Sequence, residues 1–112
     1  QIYVKNGNKN KANAAYKNMK IYFEYFKNRP GFGPYYDVAI GVSKYVGEYR
    51  YAAYVYNHLI ETQPFANNYV NYAVFVDKYL NDKLRSRELL IKALELDPEF
   101  IMPNYIKENY DL

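Results

Sequence analysis

At 112 residues with no cysteine, the chain has the length of one domain and can form neither a disulfide nor a thiolate metal site. Half of it is apolar and 20% aromatic, and no apolar run nears the roughly 20 residues of a membrane span, so the composition suits a domain with its own core. The net charge of +3 is uneven: residues 1–30 carry seven basic side chains against Glu24, a balance of +6, and the remainder carries eight basic against eleven acidic, a balance of −3.

The predicted elements are all helices. Residues 1–8 read as the end of an earlier helix, with Gly7-Asn8 as its turn. A helix follows over 10–28. Residues 29–34 (RPGFGP) form a turn, because two prolines and two glycines cannot continue a helix. A helix over 35–46 breaks at Gly47, and its partner over 49–62 stops before Pro64. The next pair covers 66–80 and 83–96, split at Asn81-Asp82 and closed by Pro98. Pro103 suits the first turn of a short last helix, 103–110.

A period ties these elements together. Pro30, Pro64 and Pro98 are each 34 residues apart. Laid over each other without gaps, 33–66 and 67–100 pair Tyr35 with Tyr69, Ala39 with Ala73, Val42 with Val76, Lys44 with Lys78, Tyr45 with Tyr79 and Glu61 with Glu95. Small Ala52 and Ser86 also coincide. Ile21, Tyr22, Tyr25 and Phe26 fall on Val55, Tyr56, Leu59 and Ile60, then on Leu89, Leu90, Ala93 and Leu94. Each set is one apolar helix stripe.

These residues resemble the tetratricopeptide (TPR) family. KALELDP at 92–98 is similar to the family's second-helix ending, and Gly47 and Tyr49 match its turn and second-helix start. Ala52 and Ser86 match one of its small-residue crossings, and Ala39 and Ala73 fall beside the other. Tyr36 and Val70 stand where the family has Trp, and Ser43 and Asp77 where it has Tyr. The resemblance implies an all-α, antiparallel helix-pair solenoid in a single domain, 1–112. It would hold a partial repeat (10–32), full repeats (33–66 and 67–100) and a capping helix (101–112). Another type of helix-pair solenoid is the alternative.

Catalysis is not expected. His58 is the one histidine, so one chain cannot build a multi-histidine zinc site. Ser43 and Ser86 are the only serines, at positions the repeat explains. GFGP at 31–34 lacks the lysine and spacing of a phosphate loop. No catalytic, metal or cofactor residue is assigned, and no cofactor is expected.

The resemblance implies instead a groove lined by the first helix of each pair. Here that means Asp37, Gly41, Lys44 and Tyr45, then Asn71, Phe75, Lys78 and Tyr79. Such a groove suits an extended acidic or C-terminal segment of a partner protein. With 16 tyrosines and 6 phenylalanines, some aromatics must lie outside the core, where tyrosine favours interfaces. The alternative function is therefore a structural subunit, a homo-oligomer or larger assembly stacking through its terminal helices, at Tyr22, Phe23, Phe26, Tyr105, Ile106 and Tyr110. The basic N-terminal part reads as a solvated face or as a patch for an acidic partner, the acidic half of a neighbouring copy among them. Nucleic acid fits poorly with a net charge of only +3. Localisation stays open; export with signal cleavage is one route to a chain starting Gln1-Ile2-Tyr3.

Overall fold

The computed structural model describes residues 2–31, 33 and 35–112, with side chains from Lys9 onward. The first helix, α1, covers Ile2–Phe26. No turn forms at Gly7-Asn8: the helix runs through both. A mid-helix glycine costs about 1 kcal/mol relative to alanine, which a 25-residue helix absorbs. Of the expected turn at 29–34, residues 32 and 34 lie outside the described residues; at its centre Gly31 has φ +81°.

α2 covers Tyr35–Tyr45 and α3 covers Tyr49–Thr62. Their junction is a Schellman turn. Glu48 N–H donates to the Ser43 carbonyl at 2.9 Å and Gly47 N–H to the Lys44 carbonyl at 3.0 Å, with Gly47 at φ +80°. Those bonds satisfy carbonyls that the helix end would leave open, and the left-handed backbone they need is why a glycine stands there.

α4 covers Ala66–Phe75 and passes directly into a π-helical turn, Val76–Leu80. That turn ends on Asn81, whose left-handed backbone (φ +53°) asparagine tolerates better than most residues. α5 covers Lys83–Leu96, and Asp82 caps it by accepting from Arg85 N–H at 3.0 Å. α6 covers Asn104–Tyr110, with Pro103 as its N-cap. Among the described residues all regular structure is helical.

The chain forms two compact units, Gln1–Tyr56 and Asn57–Leu112, with the division inside α3. In the first unit α1 packs on α2. Phe23 is fully buried at its centre, its ring 6.0 Å from Tyr36, 6.2 Å from Tyr51 and 6.0 Å from Tyr54, all edge-on. Edge-to-face contacts place the positive rim of one ring on the negative face of another. Met19, Ala39, Ile40, Ala52 and Val55 are also buried.

In the second unit α4 packs on α5, around Val70, Ala73, Phe75, Val76, Leu89, Leu90 and Ala93. α6 adds Met102, Ile106 and Tyr110, and it is fastened by polar contacts as well as apolar ones. The Tyr110 hydroxyl donates to Asp77 Oδ2 and lies 3.1 Å from Ser86 Oγ, while Ser86 Oγ donates to the Ala73 carbonyl at 2.6 Å. Arg87 Nε donates to the Tyr110 carbonyl at 3.0 Å.

Some positions related by the 34-residue period match in burial. Ala39 and Ala73 are both inaccessible, as are Ala52 and Ser86. Ser43 and Ser86 face no cleft: each is fully buried, and each donates to a backbone carbonyl, that of Ala39 (2.7 Å) and of Ala73.

Candidate interaction surface on the first helix

One apolar stripe breaks the periodic burial. Val55 and Leu59 are buried, at 0% and 8% exposure, yet Ile21 and Tyr25, 34 residues earlier, are 71% and 62% exposed. α1 turns Met19 and Phe23 inward instead. The i, i+4 spacing of a helix then places Lys17, Ile21 and Tyr25 along one line, and all three are exposed, as is Arg29 in the turn that follows α1. Arg29 crosses over this line: its guanidinium lies 4.6 Å from the Tyr25 ring centre and 5.7 Å from that of Phe26, and its Nε donates to the Tyr25 carbonyl at 3.3 Å. Such cation–π contacts hold a ring in place without covering it. Tyr22, 45% exposed, continues the surface, with Phe26 at 4.5 Å and Tyr35 at 4.4 Å between ring centres.

On the other side of the stripe lies a shallow depression lined by Lys20, Ile21, Glu24, Tyr25 and Tyr51. Its floor is ordered by Glu24. That carboxylate accepts from Tyr51 Oη at 3.3 Å, Tyr54 Oη at 3.1 Å and Lys27 Nζ at 2.9 Å. Burial pushes the Glu24 carboxyl up. The Lys27 and Tyr54 hydrogen bonds outweigh it, with the Lys27 charge and Tyr51, and hold it below its ordinary value. Burial, then the Glu24 charge, pushes the Tyr51 phenol well above the usual phenol range, so it stays a donor. Lys20 Nζ sits 4.5 Å over the Tyr16 ring and 5.9 Å from that of Tyr51. The network engages the only carboxylate of residues 9–31, and the same stretch carries Lys9, Lys11, Lys17 and Lys20 besides Lys27 and Arg29.

The other expected residues fall into three groups. Asp37, Tyr45, Asn71 and Lys78 are exposed, Tyr45 at 72%, and Lys44 and Tyr79 are half-buried. Lys78 Nζ lies 5.3 Å over the Tyr79 ring. Phe75 does not line a surface. It is 2% exposed, because α4 buries two adjacent stripes and Phe75 lies on one with Tyr72 and Val76. Of the six residues expected at a terminal interface, Tyr22 and Tyr105 are exposed and Phe26 is half-buried. Phe23, Ile106 and Tyr110 are core: Phe23 is ringed by Tyr36, Tyr51 and Tyr54, Tyr110 is tied to Asp77 and Ser86, and Ile106 is 4% exposed.

Sequence reasoning missed the Glu24 network and the Asp77–Tyr110–Ser86 clasp. The i, i+3 pairs Glu24/Lys27 and Tyr51/Tyr54 were the available signal for the first. Nothing in the spacing signals the second, whose members are 9 to 33 residues apart. Among the described residues no three His, Asp or Glu side chains gather as a metal site, and no helix is long and apolar enough to cross a membrane. No protein-family model, curated protein or solved structure matches this chain.

Proposed function

We propose that the chain is a non-enzymatic protein-interaction module, built as a tetratricopeptide-like helix-pair repeat. Its working surface is the Lys17–Ile21–Tyr25 stripe of α1 with Tyr22, Arg29 from the turn that follows and the adjoining depression. The partner is an acidic protein segment that carries aromatic or aliphatic side chains. The observation that carries this reading is the contrast between Ile21 and Tyr25, exposed, and their repeat equivalents Val55 and Leu59, buried. A contiguous apolar patch left in water marks an interaction surface. Its rim is basic: residues 9–31 carry six basic side chains against Glu24. Basic rims attract acidic partners and fix their orientation. The repeat reading rests on the 34-residue register and on the matched burial of Ala39 with Ala73 and Ala52 with Ser86.

The test uses a random copolymer of glutamate and tyrosine as probe, with a lysine–tyrosine copolymer as control. The acidic probe binds, more weakly as salt rises, and the basic one does not. Ile21→Glu with Tyr25→Glu abolishes binding while helicity is unchanged. Equal binding of the two polymers, or of the doubly substituted chain, removes this reading.

Peptide binding by the residues expected on the first helix of each pair is the second reading, favoured by the exposure of Tyr45 in the first unit and of Asn71 and Lys78 in the second. Under it, Lys44→Glu with Lys78→Glu abolishes binding and the α1 substitutions do not.

A further inference from the structure

We infer that the acidic segment received by the α1 surface is the C-terminal end of a second copy of this chain, residues 96–112. This rests on the assignment of α1 as the working surface. The two ends are complementary in charge. The α1 end has the basic excess described above; residues 96–112 hold Asp97, Glu99, Glu108 and Asp111 against Lys107 alone. They also match in apolar character. Ile101 is 91% exposed, Tyr105 64% and Leu96 41%, beside Ile21 at 71% and Tyr25 at 62% on the receiving face.

The C-terminal segment is presented in a fixed shape. Met102, Ile106 and Tyr110 bury its inner side, and the Tyr110 hydroxyl is tied to Asp77 and Ser86. The outer side therefore meets a partner with little ordering left to do, which favours association. On that side Tyr105 and Glu108 are exposed one turn apart, an aromatic–acid pair opposite in sign to the exposed pair of Tyr25 on α1 and Arg29 in the turn that follows.

Two basic α1 surfaces repel, as do two acidic ends, so the contact joins unlike patches. Such a heterologous contact adds copies head to tail, as a chain or a closed ring. Its ionic component weakens in about 1 M salt, where the screening length falls to about 3 Å.

The test is sedimentation velocity on the chain from about 1 μM to about 1 mM, the range of weak specific contacts. Two variants accompany it: Tyr25→Glu blocks the receiving face, and Ile101→Lys with Tyr105→Lys blocks the C-terminal end. All three positions are more than half exposed, and circular dichroism checks that helicity is kept. The unsubstituted chain grows in mass with concentration. Each variant alone stays a monomer. Mixed in equal amounts, the two form a dimer that grows no further, since only one good face and one good end remain.

A chain that stays monomeric throughout overturns the inference, as does a variant that assembles like the unsubstituted chain or a mixture that stays monomeric. If the chain is monomeric yet binds the glutamate–tyrosine copolymer, the α1 surface keeps its assignment and the second copy is removed as its occupant. If neither event occurs, both fall.

Discussion

Phe23 and Ile21 are two residues apart on α1 and equally apolar, yet one is fully buried and the other 71% exposed. Truncating each to alanine separates core from surface. Phe23→Ala leaves a hole among Tyr36, Tyr51 and Tyr54, which ring it at 6.0 to 6.2 Å. A buried Phe→Ala change of this kind costs about 3–5 kcal/mol, lost transfer energy plus the cavity left behind. For a urea slope of about 1.5 kcal/mol/M, the unfolding midpoint falls by about 2–3 M. Ile21→Ala exchanges an exposed β-branched residue for the best helix former, and its effect stays within about 0.5 kcal/mol. The assay is urea unfolding followed by far-ultraviolet circular dichroism. Phe23→Ala and Ile21→Ala chains with the same midpoint would refute the assignment of Phe23 to the core and of Ile21 to the surface.

Tyr110→Phe removes the donor to Asp77 and the contact with Ser86 while keeping the ring. It costs about 1–2 kcal/mol for a half-buried bond to a charged acceptor, and hydrogen exchange reads it as lost protection in α6. The raised phenols of Tyr16, Tyr35, Tyr51, Tyr72 and Tyr110 make the native chain ionise its tyrosines later than the unfolded chain in an ultraviolet titration. Because these folded values are raised, the stability tied to them is complete below the ordinary phenol value of 10.0 and is lost as pH climbs through the raised values. Glu24 works in the opposite sense. Its lowered folded value gives stability that is present above its ordinary 4.5 and lost as pH falls through the lowered value. Asn81→Val forces a β-branched residue into the left-handed backbone after the π turn and costs about 1–2 kcal/mol, read by thermal unfolding.

Helix positions were legible in the sequence because stop signals are local. Gly47, Pro64, Asn81-Asp82 and Pro98 each end a helix through their own backbone chemistry, and α3 and α5 begin and end where those signals put them. α1 was less legible, because a glycine is tolerated inside a helix at a cost of about 1 kcal/mol and the helix runs through Gly7-Asn8. Which side of α1 faces inward was not legible, and Phe23, expected at an interface, is core. The period aligned Ile21 and Tyr25 with buried positions, but periodicity reports which residues share a stripe, not whether anything covers it. Met19 and Phe23, on another stripe, took the inner side. The clasp on α6 was illegible because its hydroxyl and carboxylate meet only after α4, α5 and α6 have packed.

Mapping the glutamate–tyrosine copolymer onto the chain by amide chemical shifts tests the functional account most directly. The account predicts salt-sensitive shifts at Lys17, Ile21, Tyr25 and Arg29, with Lys44, Tyr45 and Lys78 unmoved. Shifts confined to Lys44, Tyr45 and Lys78, with the α1 stripe silent, would contradict it.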